Sequence, residues 1–276
     1  MTANISVLMS VYHKEKPEYM RQCFDSLLAQ TLKANEWIIV EDGKLTDELY
    51  AVLDEYVSKY PELIKRVPLP ENVGLGLALR AGVPECSNEI IARMDTDDIA
   101  RRDRFEKQYA EFQKDDKLDI CGSWIKEFEG TTDNVVSKRR VPLKDRAIKE
   151  YQKRRDSFNH MTVMYKKSAV LKAGNYQSCL LMEDTLLWVN MIQTGAKCKN
   201  LPNCLVYARV GKDMYDRRGG LSYYKKYKLG RKRVYETGYI SIFDYYETLV
   251  VQLIVCLVPN KLRRFIFLKL LRKDNK

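Results

Sequence analysis

The chain has 276 residues, of which 45% are hydrophobic, and carries a formal net charge of +11. That length and apolar fraction allow one large core or two modest ones and exclude a disordered chain. Charge is segregated. Residues 1–216 hold 33 basic and 33 acidic side chains, whereas residues 217–276 hold 15 and 4, which is the entire excess; such a block meets phosphate, on a nucleic acid or an anionic membrane.

Residues 5–11 (Ile-Ser-Val-Leu-Met-Ser-Val) read as a buried strand. The run is too short for a secretory signal, so the chain is expected to stay in the cytoplasm. Pro17 opens a helix whose apolar stripe is Met20, Phe24, Leu27, Leu28 and Thr31. Residues 37–40 form a second strand ending at Glu41-Asp42-Gly43, and a second amphipathic helix turns Leu49, Val52, Leu53, Tyr56 and Val57 inward. Residues 63–69, 75–83 and 89–94 add a strand, a helix and a fourth strand. Strand and helix thus alternate four times, the pattern of an open, mostly parallel α/β sheet. Ligands of such sheets bind beyond the C-terminal strand ends, so Asp42 and Asp95 are expected to face one crevice.

Beyond them, residues 101–114 read as a charged helix, 118–124 and 135–141 as strands, and 183–194 as an amphipathic helix. The apolar run 249–258 stops at Pro259, short of the roughly 20 residues a spanning helix needs. Residues 261–273 read as a last helix with interleaved apolar and basic positions. The seven cysteines include no CxxC pair, which argues against a disulfide framework or a zinc ribbon and leaves reduced thiols in the core.

Asp95-Thr96-Asp97-Asp98 places three carboxylates within four residues. They repel one another unless a cation or water screens them, and hard oxygen ligands suit Mg²⁺ or Mn²⁺. A solvated helix start is the plainer alternative; the position at the end of a buried strand favours chemistry.

Residues 5–12, Glu41-Asp42-Gly43, Glu71-Asn72-Val73-Gly74-Leu75, Arg93-Met94-Asp95-Thr96-Asp97-Asp98 and Met182-Glu183-Asp184 stand in an order that resembles inverting glycosyltransferases of family 2, with the GT-A fold. The likeness covers residues 4–209 and is closest to the bacterial branch that builds capsule, exopolysaccharide or O-antigen; Asn159-His160-Met161-Thr162-Val163-Met164 and Arg217-Arg218-Gly219-Gly220 look like that branch's signatures. It implies a glycosyltransferase domain over 1–215, with a nucleotide-sugar half (1–100) and an acceptor half (101–215); the charge block and the last helical stretches mark 216–276 as a basic amphipathic helical tail. It also implies site roles. Val11 and Tyr12 would line the nucleotide pocket, and Asp42 would meet the base. Asp95 would serve ribose and metal shell, and Asp97 would ligate Mn²⁺ or Mg²⁺. Asp98 would either orient the site or cap the helix at Arg101. Arg80 stands where many relatives carry a small polar residue, which leaves its nucleotide contact open. Asp184 would be the base that takes the acceptor proton, or a helix N-cap. Glu183 and Trp188 are assigned to the acceptor side, with a core role equally open for Trp188. His160 is either a metal or diphosphate contact or a core histidine; Arg217 and Arg218 suit a lid that clamps the donor diphosphate, or a plain basic turn.

The expected partners are a nucleotide sugar, a UDP-sugar by family frequency, and a saccharide acceptor on a lipid-diphosphate carrier. For the tail, a peripheral contact with the inner face of the cell membrane is preferred over an oligomer interface and over nucleic acid. Two rivals are a nucleotidyltransferase, disfavoured because residues 12–17 lack glycine, and a degenerate nucleotide-sugar-binding module, disfavoured by Asp42, Asp95, Asp97 and Asp184 together.

Overall fold

A computed structural model describes residues 1–211, 219–259 and 263. The first hundred residues form β1 (Thr2–Val11), α1 (Pro17–Leu28), β2 (Lys33–Glu41), α2 (Asp47–Lys59), β3 (Ile64–Pro68), α3 (Leu75–Glu85) and β4 (Ile90–Arg93). Then follow β5 (Ile99–Ala100), α4 (Arg104–Lys114), β6 (Leu118–Phe128), β7 (Val135–Arg139), α5 (Asp145–Gln152), β8 (Met164–Lys166), α6 (Lys167–Lys172), α7 (Glu183–Gln193), β9 (Lys197–Arg209), α8 (Gly220–Glu236) and α9 (Ile242–Leu257). The strands join in one sheet of order β3-β2-β1-β4-β8-β6-β9-β5, with β7 paired to β6.

The segment β3-β2-β1-β4 is parallel, as the alternation of strand and helix requires. Antiparallel pairing enters at β8, which lies between β4 and β6, while β6 and β9 run parallel. Period-two alternation splits the core between the two faces. Val7, Met9 and Val11 of β1 and Trp37 and Ile39 of β2 pack with α1, α2 and α4; Leu8, Ile38 and Val40 pack with α3, α6 and α7. A third cluster joins α7 to α8 and α9 through Leu186, Val189, Val234, Tyr245 and Leu249.

Several expectations shift. Thr31 lies beyond α1, exposed, with its hydroxyl donating to Glu106 at 2.7 Å. Helix α4 starts at Arg104 rather than Arg101, because Ile99 and Ala100 pair with Tyr207 and Val206 of β9 and Arg101 N–H donates to Leu205 C=O at 2.9 Å. Asp98 therefore caps no helix. The expected helix over 261–273 and the pair Arg217 and Arg218 lie outside the described residues.

Candidate active site

Parallel pairing brings the C-terminal ends of β1, β2 and β4 to one edge. Val11 is buried there and its carbonyl accepts the Asp42 N–H at 2.8 Å; Tyr12 follows, 40% exposed. Asp42 is buried, and its carboxylate accepts from Asn72 Nδ2 (3.0 Å), Val73 N–H (2.7 Å) and Gly74 N–H (3.1 Å). It thus organises the turn that leads into α3. Gly43 is required in this clasp: its φ is +79°, and a Cβ there would lie 2.6 Å from Asn72 N. Arg80, further along α3, donates to the carbonyls of Gly174 (3.2 Å) and Tyr176 (2.8 Å).

At the end of β4 the carboxylate oxygens of Asp95, Asp97 and Asp98 lie within 4.8 Å of one another. Asp95 forms a two-pronged ion pair with the buried Arg93, one arm at 2.6 Å. Asp98 accepts the Arg209 backbone N–H at 2.8 Å through Oδ1, which ties the end of β9 to the cluster, while its buried Oδ2 has no partner among the described residues. Arg209 also holds the Asp97 carbonyl (3.0 Å) and stacks on Tyr19, 3.8 Å from the ring centre. Thr96 donates to Glu15 Oε2 at 2.8 Å, bringing a further acid from the loop after β1 to the cluster. Burial, followed by the charges of Asp95 and Glu15, pushes the Asp97 carboxyl up to about 7. Burial and the charges of Asp97 and Asp95 push Asp98 well above the ordinary carboxylate range. Three close carboxylates, of which Asp95 is paired with Arg93 while the Arg209 side chain is turned to the Asp97 carbonyl, and a buried oxygen without a partner among the described residues suit a divalent cation with oxygen ligands.

Asp184 stands at the start of α7. The N-cap of that helix is Met182, so Asp184 is not the cap; its Oδ1 accepts the Thr185 N–H at 2.7 Å. Burial, then the neighbouring Asp156 and Glu183, raise its carboxyl to about 8. Asp156 is bonded to the Thr185 hydroxyl. Helix α7 meets α3 at Gly76, where a Cβ would come within 2.7 Å of Glu183 Cβ. Glu183, raised mainly by burial, feels Arg93, Asp156 and Asp95, so the two acidic groups share one electrostatic environment across the crevice.

For two residues the structure favours the core alternative. His160 does not join the metal-capable group among the described residues. It is buried, its Nε2 is 2.8 Å from the Tyr176 hydroxyl, and burial followed by the Arg93 cation holds its imidazole well below the usual pKa. Trp188 is 1% exposed and packs on Phe158 and His160, which leaves no face for an acceptor sugar. Conversely, sequence reasoning did not assign Glu15, Arg93 or Asp156 to the site. Only Arg93 was signalled locally, as a cation closing a buried apolar strand.

A mixed sheet of this order, flanked by helices on both faces, is the α/β architecture of the GT-A fold. The solved structure of the mannosyltransferase PcManGT from Pyrobaculum calidifontis, in complex with GDP-Man and Mn²⁺, has the same fold, with a TM-score of 0.63 at 12% identity over 94% of this chain and 71% of that one. The model of glycosyl transferase family 2 matches residues 6–171, and the chain belongs to that family. Among its relatives, the amylovoran biosynthesis glycosyltransferase AmsE of Erwinia amylovora is 37% identical over 96% of this chain and 98% of its own length. An Escherichia coli UDP-Gal:α-D-GlcNAc-diphosphoundecaprenol β-1,3-galactosyltransferase is 34% identical over 99% and 98%.

Proposed function

We propose that the chain moves a sugar, with inversion, from a UDP-sugar to a hydroxyl group of a saccharide carried on a lipid diphosphate, in surface-polysaccharide biosynthesis at the cytoplasmic side of the membrane. The observation that carries this reading is the convergence of the Asp95, Asp97 and Asp98 carboxylates within 4.8 Å at the ligand edge of the sheet. The galactosyltransferase relative, whose name states a UDP-sugar donor and a diphosphoundecaprenol acceptor, supports the choice of substrates.

Asp97 and Asp95 would hold Mn²⁺ or Mg²⁺, with Asp98 Oδ2 behind them. When bound, the metal offsets the negative charge that grows on the departing nucleoside diphosphate. Arg93 holds the Asp95 carboxylate in place. Val11, Tyr12 and the clasp that Asp42 forms with residues 72–74 shape the nucleotide side. Asp184 takes the proton of the acceptor hydroxyl as that oxygen bonds to the anomeric carbon, and Glu183 lies beside it on the acceptor side. Arg217 and Arg218 are assigned to the donor diphosphate.

The test is donor binding followed by titration calorimetry with UDP and a UDP-sugar panel, with and without Mn²⁺. Wild type is expected to bind only with metal, and Asp97→Asn to lose that dependence together with at least about tenfold in affinity. Equal, metal-independent affinity of both proteins would refute the metal assignment.

A further inference from the structure

Helix α9 is two-sided. Its N-terminus is fixed by a reciprocal capping box, in which Ser241 Oγ accepts the Asp244 N–H and Asp244 Oδ2 accepts the Ser241 N–H, both at 3.1 Å. One face is anchored. Tyr245 and Leu249 are buried in the cluster that also holds Val234 of α8 and Leu186 and Val189 of α7, and Thr248 accepts from the buried Arg231 at 3.0 Å. The opposite face is bare: Phe243 is 82% exposed, Tyr246 59%, Val250 56%, Ile254 55% and Leu257 62%. These residues recur at three- and four-residue spacing, so they form one continuous apolar stripe along 16 residues of helix. Apolar side chains exposed singly are ordinary, whereas a contiguous stripe of five needs a partner.

The chain around α9 selects the partner. Helix α8 exposes Lys225, Lys226, Lys228, Lys232 and Arg233, and the sequence from residue 260 to 276 holds, besides the buried Arg263, six basic residues against one acidic. A second copy of the chain would bring two such +11 segments together. An anionic lipid surface neutralises them and receives the apolar stripe at the depth of its headgroups. Among the described residues no helix is long and apolar enough to cross a membrane, so the stripe lies along the surface.

We propose that the outer face of α9 docks the protein in-plane on the anionic surface of a lipid bilayer, with the flanking lysines and arginines as the electrostatic half of the contact. This rests on the reading of a lipid-linked acceptor and gives it a structural consequence. The docking helix shares, through Tyr245 and Leu249, one hydrophobic cluster with α8 and with α7, the helix that carries Asp184 at its start. Membrane contact would thereby fix the height of the candidate base above the surface on which the acceptor diphosphate resides.

The full-length chain is floated with vesicles of phosphatidylcholine containing phosphatidylglycerol, and with phosphatidylcholine alone. Wild type is expected to float with the anionic vesicles and to be released by salt. The triple variant Phe243→Ser, Val250→Ser, Ile254→Ser, which changes no charge, is expected to bind at least about tenfold more weakly. Phe243→Ser alone, at the most exposed position, is expected to show an intermediate loss and covers the case of an unstable triple variant. Flotation of the variants at wild-type level, or failure of wild type to float, overturns the proposal. So does a wild-type dimer in sedimentation equilibrium that the variants convert to monomer, since the stripe would then be a contact between copies. UDP binding is measured on the same preparations. Vesicle binding without UDP binding sinks the proposed function alone, and UDP binding without vesicle binding sinks only the docking face.

Discussion

At Asp184 the conflict between burial and charge has a kinetic consequence. Its carboxyl is raised to about 8 by burial, with Asp156 and Glu183 adding repulsion. A base works only when deprotonated, so kcat/KM at subsaturating acceptor should climb with pH, by about tenfold per unit, and level off near pH 8. Asp184→Asn should keep metal-dependent UDP binding and lose transfer. Asp156→Asn removes the negative neighbour with the larger effect on Asp184 but leaves an amide oxygen for the Thr185 hydroxyl. Its acid limb should therefore move to lower pH. A pH–rate profile that does not move in Asp156→Asn would mean that the Asp156 charge does not tune the base. The same neighbourhood shows what sequence hides. Asp184 was legible because it closes a local motif, whereas Asp156 reaches the site from 29 residues away and Glu15 meets Thr96 from 81 residues away. His160 and Trp188 fail as site residues for a related reason: a motif gives a position along the chain, but only packing reveals that both rings point into the core.

At the scale of elements, the first four strands and their helices were legible because each strand alternates with an amphipathic helix, and both signals are local. The edge beyond β4 was not. Strand β9 contains three lysine or asparagine positions before Pro202, and its register against β6 shifts near Ser123 and Trp124, so no period-two pattern survives. Strand β5 has two residues and exists only because β9 lies beside it. The contact between α3 and α7 was equally invisible, since it depends on the missing side chain of Gly76 facing Glu183 Cβ at 2.7 Å. Gly76→Val puts branched carbon where backbone-proximal atoms already sit, so the start of α7 must move. A displacement of about an ångström at a catalytic group reduces turnover by up to about a hundredfold. We expect kcat for Gly76→Val to fall by about 10- to 100-fold, with UDP affinity changing less than about threefold. Unchanged kcat in steady-state assays would show that the two helix starts are not coupled.

Across the whole molecule, the site gathers acids that folding disfavours ionising. Asp97 is pushed to about 7 and Asp184 to about 8, and Asp98, Glu183 and Glu15 are all raised, burial being the first cause in each. Unfolded carboxyls titrate near 4. Between about pH 4 and 8 these five carboxyls hold protons in the folded chain that they have released in the unfolded one, and their contribution to stability falls as pH rises through that window, against the single buried His160, which acts in the opposite sense below its ordinary pKa. The effect is opposite to that of a salt-bridged carboxylate, whose stabilisation is lost as pH falls. A divalent cation on Asp95, Asp97 and Asp98 reverses the sign for that cluster, because it binds the deprotonated folded form. Scanning calorimetry of metal-free protein should accordingly give a melting temperature that drops from about pH 5 to about pH 8. Saturating Mn²⁺ with UDP should raise it most at the alkaline end, and EDTA should restore the decline. A metal-induced rise that is uniform across this range, or largest at low pH, would place the cation on groups other than these carboxylates, since only acids that must shed a proton to bind couple metal affinity to pH in this direction.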